Sequence, residues 1–222
     1  MVNARSTRDW SFAWGFGATM ISVAAFAMVV SGRSESPLQA ASISPGIVAS
    51  YDSMGLGRMR GASTARDTLL EVTDFLCPAC ARAHSNLELI IDSLVQRGAL
   101  VHRVLEVPFQ LGSVTVSVAA ACAWSADPAG YWRYRKVLFD AQRAVAAAYP
   151  VEHELVRLAP YARVDSVLFK ECIIRDSTEL SGRFVEALRL ARLSPIGYTP
   201  VYSINGTVVS ANTLAERLRN GM

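Results

Sequence analysis

"LLEVTDFLCPAC", Leu69 to Cys80, runs a β-rich stretch into two cysteines three apart, with a proline directly after the first. The Leu, Val, Thr and Phe content of Asp67 to Phe75 suits a strand. Pro78 suits the first turn of a helix. Leu87, Ile90, Ile91 and Leu94 then recur at helical spacing until Gly98 supplies a stop. A strand feeding a helix in this way sets Cys77 at the positive end of the helix dipole. Backbone N–H groups there stabilise the thiolate and lower its pKa. Cys77 is expected as the exposed sulfur, with Cys80 one turn on and beneath it.

Three chemistries compete for such a pair. Zinc needs four ligands, usually with a second close pair. Cys122 and Cys172 stand alone, 50 apart, and His84, His102 and His153 form no pair, so no metal is assigned. A purely structural disulfide fits poorly too, because helix N-termini are where reactive cysteines are found. The residues favour a redox pair.

Outward from the motif, "ALVHRVLEVPF" (99–109) reads as a second strand ended by Pro108. Strand, helix, strand is the βαβ unit that implies parallel pairing. About five helical segments follow: "SVTVSVAAACAW", "YWRYRKVLFDAQRAVAAA", "VEHELVRLAPYA", "VDSVLFKECIIRD" and "STELSGRFVEALRLARL". "TPVYSINGTVVS" then returns to β character around Asn205-Gly206, a hairpin signal because both positions tolerate positive φ. "NTLAERLRNG" closes as a short helix with Asn212 as expected N-cap. The fold class is α/β: a mixed sheet with a helical block inserted at about 112–194. Trp132, Tyr134 and Phe139 read as helix packing, and His102 and His153 as core or surface residues.

Ahead of this domain, Trp10 to Gly32 holds no charged residue. Trp10 to Val30 would span roughly 30 Å as a helix, a bilayer core's thickness. Arg5 and Arg8 precede it, a weak positive-inside bias that puts residues 1–9 in the cytoplasm. The stretch exceeds a usual signal-peptide core, so 10–32 is expected as a single-pass anchor, while Ala40-Ala41-Ser42 leaves cleavage to a soluble exported form open. Either way the remainder is exported, where disulfides persist. Residues 33–66, rich in Ser, Gly and Ala, suit a tether with room for a short strand or helix inside it, and the domain is expected over 67–221. Among 222 residues 51% are hydrophobic and 18% charged, enough for a packed core. A net charge of +3 without a Lys/Arg cluster argues against nucleic acid as a partner.

"LLEVTDFLCPAC" together with "GYTPVYSINGTVV" resembles the thioredoxin superfamily, in particular its DsbA-like exported thiol-disulfide oxidoreductases. The likeness runs from about Asp67 to Gly221. It implies a Cys-Pro-x-Cys active site at a strand-to-helix junction, with Cys77 attacking and Cys80 resolving. It implies a cis-proline at Pro200 facing the motif, and Thr199 as the residue whose backbone pairs with an extended substrate. Glu71 falls where the superfamily often holds a buried acid that exchanges a proton with the resolving cysteine. A carboxyl in an apolar strand would have a raised pKa suited to that; an edge-facing, solvated Glu71 is the alternative. "ACAW" and "FKECI" resemble positions that some members staple with a second disulfide, here Cys122–Cys172, with a structural role. Pro78-Ala79 lacks the histidine of the strongest oxidants, which implies a less acidic Cys77. No cofactor is implied. The implied activity is donation of a disulfide to exported polypeptides, with a membrane redox partner resetting Cys77–Cys80. Reduction of particular exported thiols, as in cytochrome maturation, and a non-catalytic peptide-binding module are the alternatives.

Overall fold

The computed structural model describes residues 42–194 and 196–221. The expected span at 10–32 and the leading residues 1–9 lie outside the described residues. Among those described, no helix is long and apolar enough to cross a membrane.

Five strands, β1 (Arg58–Arg60), β2 (Asp67–Thr73), β3 (Leu100–Glu106), β4 (Val201–Ile204) and β5 (Thr207–Val209), form one sheet in the order β1-β3-β2-β4-β5. β2 and β3 are parallel, joined through helix α2 (Pro78–Gln96), and the other pairings are antiparallel. Both parallel strands are covered on two faces, which is why β2 and β3 are buried almost throughout. The β4–β5 turn has positive φ at Asn205 (50°) and Gly206 (86°), matching the hairpin signal. Asn205 also ties the turn to the start of β2: its amide donates to the Asp67 carboxylate at 2.9 Å and accepts from the Thr68 N–H at 2.8 Å.

The described part of the supposed tether is packed structure. Helix α1 (Pro45–Ser53), capped by Ser44, places Tyr51 against the sheet, and Leu56 follows; neither has exposed surface. They join Leu70, Val72, Leu105 and Val107 in one apolar cluster. Tyr51 donates its hydroxyl hydrogen to the Ala187 carbonyl at 3.2 Å. β1 then adds an edge strand to β3. Gly61 ends it with φ of 111°, where a Cβ would lie 2.4 Å from the Leu100 carbonyl oxygen. Small residues and short elements gave this segment a linker's composition, while Tyr51 and Leu56 carry its burial.

The helical block comprises α3 (Ser113–Ala126), α4 (Pro128–Asp140), α5 (Gln142–Ala147), α6 (Val151–Leu158), a 3-10 turn (Ala159–Ala162) and α7 (Ser166–Arg192). Asp127 and Asp165 cap α4 and α7 by accepting from backbone N–H groups. The expected single helix from Tyr131 to Ala148 breaks at Ala141. The two segments expected over 164–193 are instead one helix of 27 residues. No proline interrupts that stretch, and Gly182 inside it has no close neighbour, so nothing stops propagation. Cys122 and Cys172 are disulfide-bonded, Cα–Cα 5.5 Å, joining α3 to α7. The last helix, α8 (Ala211–Arg219), is capped by Ser210, not Asn212: the Ser210 hydroxyl oxygen accepts from the Thr213 N–H at 3.1 Å.

Candidate redox site

The site is built where β2 meets α2. Cys77 is the N-cap of α2 in extended conformation, and Pro78 occupies the first turn. The Cys77 N–H donates to the Asp74 carbonyl at 3.1 Å. The Asp74 carboxylate accepts from the Leu76 N–H (2.8 Å), the Gln110 N–H (2.7 Å) and the Ser113 hydroxyl (2.5 Å), pinning the motif to the segment after β3. From the helical block, the Gln142 amide donates to the carbonyls of Phe75 (2.7 Å) and Cys77 (2.9 Å). The first of these satisfies a Phe75 carbonyl in the turn, while the Cys77 carbonyl also accepts from the Ala81 N–H at 3.2 Å.

Opposite the motif, the Thr199–Pro200 bond is cis. The Cys77 thiol donates to the Thr199 carbonyl at 3.4 Å, so this loop and the motif meet. Cys77 and Cys80 are free thiols. Cys77 is only 6% exposed and Cys80 1%, so the exposed sulfur expected at Cys77 is in fact recessed. The Thr199 carbonyl accepts from it, and it belongs to the apolar cluster that includes Phe75 and Phe139, with the partly buried Leu76 and Ala79 packed against that cluster.

The two sulfurs are held in opposite protonation states. The Cys80 thiol donates to Cys77, and with the Thr199 hydroxyl and the N–H groups of Cys80 and Ala79 it outweighs burial. Cys77 is thereby lowered to about 5. The charge so created, together with burial, raises Cys80. The acidity of Cys77 therefore needs no histidine between the cysteines. Alkylation rate against pH in the dithiol form is expected to show Cys77 reacting with a midpoint near 5. A midpoint at the ordinary thiol value of about 8.5 would contradict this electrostatic account.

Glu71 departs from both expectations. It lies on central β2, 2% exposed, so it is not a solvated edge residue. Nor is its pKa raised. Burial alone would push it up, but Arg135 and His102 outweigh burial and hold it at about 2. Both Glu71 carboxylate oxygens lie 2.7 Å from Arg135 Nη2, and Oε2 lies 2.9 Å from His102 Nε2. Burial keeps His102 neutral; its Nδ1 accepts from Arg60 Nε at 3.3 Å, leaving Nε2–H to donate to Glu71. Arg135 Nη1 also donates to Glu88 at 2.7 Å. Held in this ion pair, Glu71 is not poised to give up or take a proton near neutral pH.

Arg135, Gln142 and Glu106 are site residues that sequence reasoning passed over. Tyr131, Arg135, Leu138 and Gln142 recur at spacings of four, three and four, one face across α4 and into α5, and all four are buried. Polar residues on such a stripe were the available signal. Glu106 ends β3 with no exposed surface and accepts the Tyr131 hydroxyl at 2.7 Å. Among the described residues, no group of three or more His, Cys, Asp or Glu side chains is placed to hold a metal ion.

A family model described as thioredoxin matches residues 53–220. Among solved structures, BdbD from Bacillus subtilis is 20% identical, with a TM-score of 0.62 over 76% of this chain and 94% of that one. MdbA, a thiol-disulfide oxidoreductase from Corynebacterium diphtheriae, is 20% identical, with a TM-score of 0.63 over 72% and 88%. Oxidised DsbA from Mycobacterium tuberculosis is 21% identical, with a TM-score of 0.60 over 74% and 91%. No curated protein matches the sequence. These likenesses share the sheet with its helical insertion, and with the family model spanning both the cysteine motif and the cis-proline hairpin, the chain belongs to the thioredoxin family.

Proposed function

We propose that this chain is an exported, membrane-anchored thiol-disulfide oxidoreductase that donates a disulfide to secreted or periplasmic polypeptides through Cys77 and Cys80. The observation that carries the reading is Cys77 at the head of α2, hydrogen-bonded to the carbonyl before a cis-proline, with Cys80 one turn on; that arrangement lowers Cys77 to about 5 and raises Cys80. A stabilised thiolate favours the reduced form, so the corresponding disulfide is a ready oxidant. That favours donation over reduction of exported thiols, and an intact dithiol argues against a module that only binds peptides.

In the reaction, a substrate thiolate attacks Cys77 Sγ; a substrate–Cys77 bond forms and the Cys77–Cys80 bond breaks, with the electron pair leaving on Cys80. A second substrate thiolate then attacks its own mixed disulfide and expels the Cys77 thiolate, leaving the substrate oxidised and the protein reduced. The Thr199 backbone aligns the incoming chain, and Pro200, which has no N–H, lets it approach the sulfur. A membrane redox partner restores the disulfide. The uncharged stretch 10–32 and its preceding arginines support an anchor with the N-terminus cytoplasmic and the catalytic domain outside.

The test is the full chain carrying Cys80→Ala, expressed in its own cell envelope. Mixed disulfides joining Cys77 to exported polypeptides are expected, and their absence would overturn the reading. In cells, the unmodified Cys77–Cys80 pair is expected mostly oxidised; a mostly reduced pair would reverse the direction of flow.

A further inference from the structure

Cys80 needs a proton each time it leaves as a thiolate and must lose one each time it attacks. It is 1% exposed, so bulk water does not serve it directly, and Glu71 is locked in its ion pair. The Asp74 backbone, the Thr73 hydroxyl and the Thr199 hydroxyl all favour the Cys80 thiolate, and of these Thr73 is the side chain carried by the sheet. Thr73 pairs in parallel register with Glu106, so the two side chains stand side by side on one face of the sheet. Neither residue has exposed surface. The Thr73 hydroxyl and Glu106 Oε2 are both buried and neither completes a hydrogen bond, so the hydroxyl lies near the Cys80 sulfur without being bonded to it, a costly arrangement for polar groups on neighbouring strands.

We infer that Thr73 and Glu106 form a proton relay for Cys80. When the disulfide opens, the Glu106 carboxyl yields a proton through the Thr73 hydroxyl to the Cys80 thiolate, leaving Glu106 as carboxylate and Cys80 as thiol. When Cys80 attacks a mixed disulfide, the proton returns to Glu106 as the new S–S bond forms and the partner sulfur leaves with its electron pair. Glu106 touches no substrate; it acts through Thr73 and Cys80.

The groups facing Glu106 set when it can do this. Burial raises it to about 7, against the pull of Arg58 on β1 and of Tyr131 and Arg135 on α4, while Asp74 reinforces the rise. Tyr51 on α1 also feels its charge. Arg58 lies over the rings of Trp124 and Tyr131, at 5.1 and 5.7 Å, and does not hydrogen-bond the carboxylate. Glu106 thus changes charge close to neutral pH, unlike Glu71.

The relay rests on the redox reading above, and one experiment separates the two. Reduced full-length protein is mixed with 5,5′-dithiobis(2-nitrobenzoate). The first thionitrobenzoate released reports attack by Cys77, the second its displacement by Cys80. Absence of the first phase in the unmodified protein would sink the redox reading itself. Glu106→Gln should leave the first phase intact, slow the second by on the order of 100-fold at pH 8, and remove an inflection near 7 from its pH profile. Thr73→Val should slow the second phase likewise, and an unchanged second-phase profile in either variant overturns the relay. A third measurement needs no substitution: carbon-13 NMR of the unmodified protein with carboxyl-labelled glutamate. A buried glutamate should titrate near 7 in the dithiol form and shift when Cys77–Cys80 is oxidised. Titration independent of the redox state overturns the proposal.

Discussion

Arg135→Met is expected to destabilise the domain by about 3–5 kcal/mol, the usual effect of removing one partner from a buried ion pair. Arg135 has no exposed surface and lies 2.7 Å from both Glu71 oxygens and from Glu88 Oε2. Methionine fills similar space but leaves Glu71 with only neutral His102, while Glu88 keeps Arg60 at 2.9 Å. The pH dependence carries the diagnostic sign. In the unmodified protein Glu71 is lowered from 4.5 to about 2, so its contribution is present above 4.5 and lost as pH falls toward 2. In Arg135→Met the same carboxylate is buried without its cation, its pKa rises, and stability should instead fall as pH increases from the acid side. Denaturant unfolding at several pH values measures both effects. Adding Glu71→Leu should recover much of the loss, since replacing a whole buried pair by apolar groups is often neutral. A loss below about 1 kcal/mol in the single variant would show the pair to be dispensable.

Removing the second disulfide should have a comparable effect on stability and none on exchange. The Cys122–Cys172 bond closes a loop of 50 residues, for which the chain-entropy model gives about 4 kcal/mol. Replacing both cysteines by alanine avoids a stray thiol in a site where they are 0% and 4% exposed. The helices it joins also pack directly, since Val118 and Ala121 of α3 share a cluster with Phe184, Ala187 and Ala191 of α7. The double variant should therefore fold, unfold at lower denaturant, and release the first thionitrobenzoate at an unchanged rate. A change in that rate would mean that the staple governs the motif after all.

How far the chain could be understood from its letters depended on the range of each interaction. The strand–motif–helix unit and the hairpin at Asn205-Gly206 rest on local propensity and turn chemistry, and both were legible. The Thr199-Pro200 loop was legible only through resemblance, because nothing local distinguishes a cis from a trans X-Pro bond. Glu71 was placed correctly on its strand but given the wrong charge behaviour. Its pKa is decided by Arg135, 64 positions later, and no periodicity reveals which cation meets which acid. Glu106 was absorbed into "ALVHRVLEVPF" as an ordinary strand residue. Its isolation appears only once the β2–β3 register sets it beside Thr73 and β1 brings Arg58 near without bonding it. For residues 43–60 a short helix or strand was allowed within the tether, but their packing onto the sheet was missed for a different reason. Tyr51 and Leu56 are too few to produce a pattern, and an edge strand of three residues has almost no signature.

Gln142 and Arg135 belong to the inserted block, yet one holds the cysteine turn and the other pairs with Glu71 on the sheet and Glu88 on α2. Excising residues 113–192 would thus yield no miniature thioredoxin. The remnant would keep its five strands but leave Glu71 with neutral His102 and no cation, and lose the brace behind its sulfur. In this chain the addition has become a keystone, and any smaller working version would first have to be relieved of Glu71.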